Sequence, residues 1–214
     1  MAWCQKGGDK YNRYFTKDQL SFSFNSTNWV HDKESPSPSV LSRGITLQMM
    51  YPIIGNKSNV AFAVGFGLAC QNYYIKDYIF TNPDSLWFVP IPDTLNYKKY
   101  KLNTNYFTIP IELRIRTNPN KVTRNSFKIY PGFRAGVIIN KHTKYIGRDL
   151  QNGEKIKQKE FDIKHIAMFD YGLTLRIGYG KFLMHGYYSL SELVEHNKGP
   201  KIVPFEIGIT VILF

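Results

Sequence analysis

The chain has no run of about eighteen apolar residues, so no segment of it is suited to cross a bilayer as a helix. Its longest apolar stretch, near Val60 to Cys70, has only the length of a strand. It also lacks a nucleophile elbow, an HExxH pair and a CxxC spacing, and Gly65-Phe66-Gly67 falls short of a dinucleotide fingerprint. His31, His142, His165 and His196 fall in expected connections, and His185 alone points to the expected interior, as a hydrogen-bonded structural histidine. We therefore assign no catalytic residue, no metal site and no cofactor. No linker-like break interrupts the 214 residues, which makes residues 1–214 one domain, with 1–17 as its periplasmic N-terminal segment. Met1 to Gln5 has neither a charged n-region nor an apolar h-region, so the sequence reads as a mature form with an added Met.

What is present is a rhythm of period two. From Met168 to Gly180, Phe169, Tyr171, Leu173, Leu175, Ile177 and Tyr179 alternate with Asp170, Gly172, Thr174, Arg176 and Gly178. From Tyr106 to Arg116, Phe107, Ile109, Ile111, Leu113 and Ile115 alternate with Thr108, Pro110, Glu112, Arg114 and Arg116. Successive side chains of a strand point to opposite faces, so each stretch has one oily face and one polar face. Leu20–Trp29, Ile45–Tyr51, Val60–Leu68, Phe127–Val137, Phe182–Leu193 and Phe205–Phe214 complete about eight strands. Long connections, about His31–Ser42, Lys76–Asn103, Asn140–His165 and Glu195–Val203, alternate with short ones at Gly55–Asn59, Asn118–Asn125 and Gly180-Lys181. The pattern predicts an all-β fold: a transmembrane antiparallel up-and-down β-barrel, with short periplasmic turns and long outer loops.

A soluble ligand-carrying barrel alternates too, with its oily face inward. The glycines decide the direction. Gly65, Gly67, Gly132, Gly136, Gly172 and Gly178 share the charged face, where a cramped interior needs room for Arg and Tyr. The oily face then meets lipid through Phe107, Ile109, Ile111, Leu113, Phe169, Tyr171, Leu173, Leu175, Ile177 and Tyr179. Tyr51, Phe127, Tyr179 and Phe182 would form an inner aromatic girdle, and Phe107, Phe169, Tyr171 and Tyr188 an outer one. A mean hydropathy of −0.31 is compatible with this, since only half of each strand faces lipid.

Eight strands enclose a space that side chains just fill. Glu112, Arg114, Arg134, Asp170 and Arg176 are expected to pair there, which makes a small-solute porin the lesser alternative. Of two cysteines, Cys4 lies on the periplasmic side and Cys70 near an outer strand end, against a disulfide. Trp3 before Cys4 argues against lipidation. The net charge of +12 is concentrated in Lys98, Lys99 and Lys101 and in Lys141, Lys144, Arg148, Lys155, Lys157, Lys159 and Lys164. No stacking platform accompanies them, so the expected partner is outer-membrane lipid and lipopolysaccharide, not nucleic acid.

Four segments carry a family resemblance: Tyr11–Gln19 (YNRYFTKDQ), Leu102–Arg114 (LNTNYFTIPIELR), Phe127–Gly136 (FKIYPGFRAG) and Tyr171–Gly180 (YGLTLRIGYG). They resemble the PorT-like outer-membrane barrel proteins of the Bacteroidota. The resemblance implies a bacterial outer-membrane barrel, some of whose relatives belong to the type IX secretion and gliding machinery. Joined to the filled lumen and the missing catalytic set, it leads to the expectation of a non-enzymatic component or scaffold of a cell-envelope assembly such as type IX secretion. Phe214 stands where an outer-membrane assembly signal would, but on the opposite parity from Leu213, Val211 and Ile209.

Overall fold

The computed structural model describes residues 19–31, 36, 38–39, 41–54, 59–92, 97–117, 126–148 and 155–213. Residues 1–17, with Cys4, and Phe214 lie outside them. Eight strands form a closed antiparallel ring: β1 (Leu20–His31), β2 (Arg43–Ile54), β3 (Val60–Tyr74), β6 (Lys99–Arg116), β7 (Phe127–Arg148), β9 (Phe169–Tyr179), β10 (Phe182–Ser189) and β11 (Ile202–Ile212). Each of these strands pairs with the next in the chain, β11 returns to β1, and β6 pairs with β7 to complete the wall. Three short strands lie outside the ring: the hairpin β4 (Asp77–Thr81) and β5 (Leu86–Pro90), and β8 (Lys155–Glu160), which extends the sheet from β7.

The period-two residues alternate between exposed and buried along the wall, and the buried set is the polar one. Phe22, Ile45, Phe66, Ile109, Leu173 and Ile209 are exposed, while Arg114, Arg134 and Arg176 are enclosed. The chain reverses tightly between β9 and β10, where Gly180 takes the left-handed φ of 63° that a two-residue hairpin asks for and Tyr179 pairs with Phe182. Both chain ends of the ring lie at this short-turn end, because Ser21 pairs with Ile212 and Gln48.

The outer end differs from the sequence expectation. Lys76–Asn103 and Asn140–His165 were expected as loops, yet β6 begins at Lys99, β7 runs on to Arg148 and β8 lies inside the second segment. A tilted membrane strand needs about 9–11 residues, and β6 and β7 have 18 and 22, so both project well past any bilayer. The pairing slips by one between Asn105↔Asn140 and Tyr106↔Ile138, leaving Ile139 as the extra residue of a bulge. Below this point the outward residues of β6 are apolar, and above it they are Asn105, Asn103, Lys101 and Lys99.

Candidate functional site

The lumen is built in two tiers. In the upper one, Arg134 of β7 donates to Glu206 of β11 at 2.7 Å and to Asp170 of β9 at 3.3 Å. Its guanidinium lies 3.5 Å from the centre of the Tyr187 ring, whose hydroxyl donates to Asp170 at 2.7 Å. Ser189 also donates to Asp170, and Asn25 and Gln71 each donate to Glu206 at 2.7 Å. In the lower tier, Glu112 of β6 receives Arg114 at 3.3 Å and a close bond from Arg176, while Arg176 also donates to Ser21 at 3.0 Å. Arg114 and Arg176 flank the Tyr130 ring, and Arg116 donates to its hydroxyl at 3.0 Å. Desolvating a charge costs several kcal/mol unless partners surround it; here every carboxylate of the lumen has at least two.

The five charged residues singled out by sequence thus separate into Arg134–Asp170 and Glu112–Arg114–Arg176, with Glu206 completing the upper set. The ten residues expected to face lipid, Phe107 to Leu113 and Phe169 to Tyr179 in their odd positions, stand on the outside of the wall, and all but the half-buried Ile111 are exposed. His185 departs from its expected role. Neither ring nitrogen has a hydrogen-bond partner among the described residues. Interior glycines admit the strands closely: a Cβ on Gly172 would sit 2.2 Å from the Tyr188 carbonyl oxygen and 2.8 Å from Ser189 Cα.

Sequence reading missed the second seal. Above the charges the interior turns apolar, and Trp29, Tyr73, Tyr100, Leu102, Tyr145 and Ile202 of the upper wall pack with Ile75, Ile79, Leu86, Ile91, Ile163, Ile166, Leu193 and Val194 of the connections. His165, at φ 61°, ties three of these connections together through Glu195 at 3.1 Å and the Asn82 carbonyl at 2.9 Å. An Ile166–Val194 bridge and a bond from Leu86 N to the Lys198 carbonyl add further ties. The apolar residues of Leu86–Ile91 and Ile163–Ile166 were the available signal, since solvated loops have little use for them.

Between the β4–β5 hairpin and the inner face of β6–β7–β8 lies an open cleft of about 500 Å³. Tyr78, Phe80, Tyr100, Tyr145 and Ile156 form its apolar side, and Thr143, Gln158 and Glu160 its polar side. Tyr78 meets Tyr100 edge-on at 5.2 Å. Burial raises the Tyr100 and Tyr78 phenols above their usual range, and a hydrogen bond with Tyr145 adds to the rise at Tyr78, so both are neutral donors at ordinary pH. Among the described residues no cluster of three His, Cys, Asp or Glu could hold a metal ion.

A closed ring with an oily outside and a charged inside is the arrangement of a bacterial outer-membrane barrel, and residues 16–195 match the family described as "Outer membrane protein beta-barrel domain". The chain belongs to that family. It is an outer-membrane protein; barrels of this kind place their short turns in the periplasm and their long connections, which here carry the apolar cap, outside. No match is found among curated proteins. Among solved structures, similarity extends to Ail, the attachment invasion locus protein of Yersinia pestis, in complex with the heparin analogue sucrose octasulfate, and to Ail alone. Each is 14% identical and covers 90% of this chain and 95% of the other, with TM-scores of 0.36 and 0.35.

Proposed function

We propose that this protein is a non-conducting, non-enzymatic outer-membrane barrel that serves as a component or scaffold of a cell-envelope assembly. Its odd-position residues on β6 and β9 would lie in lipid, and its cap would meet the partner. The observation that carries this reading is the double seal: a lumen filled by paired charges, then an apolar core across the outer mouth. A barrel closed twice has little use as a solute path, and a folded platform above it is a surface to dock on. The PorT-like resemblance suggests type IX secretion as the assembly concerned.

A second reading, capture of a small ligand at the surface, is favoured by the aromatic cleft beside Tyr78 and Tyr145. Planar-bilayer recording and cross-linking in native membranes test the first. We expect no steady single-channel current, and secretion subunits among the cross-linked species. Large steady currents would refute the seal, whereas a solitary barrel that co-purifies with a small molecule favours the second reading.

A further inference from the structure

The outward face of the sheet above the bulge carries a feature that a sealed scaffold does not require. Lys101 on β6, Lys144 on β7 and Lys159 on β8 stand directly opposite one another across three neighbouring strands. One rung further out, Lys99 and Lys157 flank Ile146. Like charges in opposed positions destabilise a sheet. The cost is visible at Lys144, whose ammonium is held below its usual range by desolvation and then by Lys157, Lys101, Lys159 and Lys99. Among the described residues no carboxylate forms an ion pair with any of the five.

A general explanation exists for part of this. Lysine on a sheet edge discourages unwanted strand pairing, and β8 is such an edge. That accounts for Lys157 and Lys159, but β6 and β7 are paired on both sides and still carry Lys99, Lys101 and Lys144. Next to the ladder, a groove of about 370 Å³ gathers Arg43, Lys76, Lys98 and Lys99 around Tyr74, with Lys99 placed 4.8 Å over the tyrosine ring. The repulsion is therefore concentrated, and a polyanion would relieve it more fully than the Lys101–Asn72 hydrogen bond and the Lys99–Tyr74 contact do.

Position selects which polyanion. The ladder faces sideways from the same wall that carries Phe107, Ile109 and Leu113 lower down, not upward from the cap. Lys101 lies six residues beyond Phe107 on one strand face, or about 20 Å of strand, which the usual strand tilt reduces to roughly 15 Å of height. Counted from Phe107 in the outer girdle, this lies above the headgroup layer of an ordinary bilayer, about 5–8 Å thick per leaflet. A lysine leaning down from it reaches the phosphorylated sugars of the thicker lipopolysaccharide headgroup. We propose that this wall binds the phosphorylated headgroup of lipopolysaccharide, with Lys101, Lys144 and Lys159 on one phosphate group and the Arg43–Lys99 groove receiving a second.

The test uses the full chain folded in detergent micelles and titrated with diphosphoryl lipid A, its dephosphorylated counterpart and soluble dextran sulfate. Replacing Lys101, Lys144 and Lys159 together by Gln is expected to weaken diphosphoryl lipid A binding by at least roughly tenfold and to flatten its salt dependence. Replacement of Lys164, Lys198 and Lys201 by Gln is expected to leave it unchanged, and replacement of the three ladder lysines by Arg, which keeps the charge, to retain most of the binding that the Gln variant loses. Heat-modifiable migration on a gel verifies that each variant is folded. Unchanged binding by the triple Gln variant, or equal affinity for dephosphorylated lipid, would overturn the proposal. Dextran sulfate binding as tightly as lipid A would reassign the wall to a soluble polyanion and overturn the lipid assignment.

Discussion

Arg134 holds the upper tier together, since one guanidinium serves Glu206, Asp170 and the Tyr187 ring at once. Removing one partner of a buried pair strands the others, and typical costs are about 3–5 kcal/mol. Arg134→Ala is accordingly expected to lower the denaturant midpoint of the folded barrel sharply in micelles. Tyr187→Phe keeps the stack and loses one hydrogen bond to Asp170, so its cost should be only about 1–2 kcal/mol. Equal losses in the two variants would show that the guanidinium is not the hub.

At the scale of the strand, the outward face can be separated from the inward one by neighbouring residues. Leu173 is exposed on β9 and Thr174 is buried behind it. Leu173→Arg near the midplane should cost roughly 2–4 kcal/mol in lipid and reduce assembly, measured as the heat-modifiable fraction in membranes. Loss from Thr174→Arg alone would reverse the assigned faces. Within the cap, Ile79→Ala should weaken local packing by about 2–5 kcal/mol, accelerating tryptic cleavage near Lys76 and Lys98 while the barrel keeps its gel migration. The wall strands were legible because one face is apolar and the other is not. β8 was not, because Ile156, Gln158 and Glu160 alternate with lysines and neither side reads as oily. The β4–β5 hairpin does carry a local sign: Asn82 accepts from Asp84 N and Ser85 N, so Asn-Pro-Asp-Ser is a turn between two apolar runs. The lumenal charges were readable by parity, but their division into two tiers depends on strand stagger, which no single strand records.

For the whole molecule, the seam matters most. The wall closes where β1 meets β11, and Leu213 N donates to the Leu20 carbonyl at 2.8 Å. The places where this ring begins and ends are thus neighbours, and nothing about the seam distinguishes it from the hairpin between β9 and β10 except the missing peptide link. A chain rewired so that a short linker joins Leu213 to Leu20, with new ends opened at residues 118–125, keeps every strand neighbour it had. Such a circular permutant should refold in micelles to the same heat-modifiable form, because tolerance of relocated ends follows from the closeness of the old ones. Failure with intact secondary structure would mean that the order in which strands enter the membrane, and not the finished set of pairings, selects this barrel.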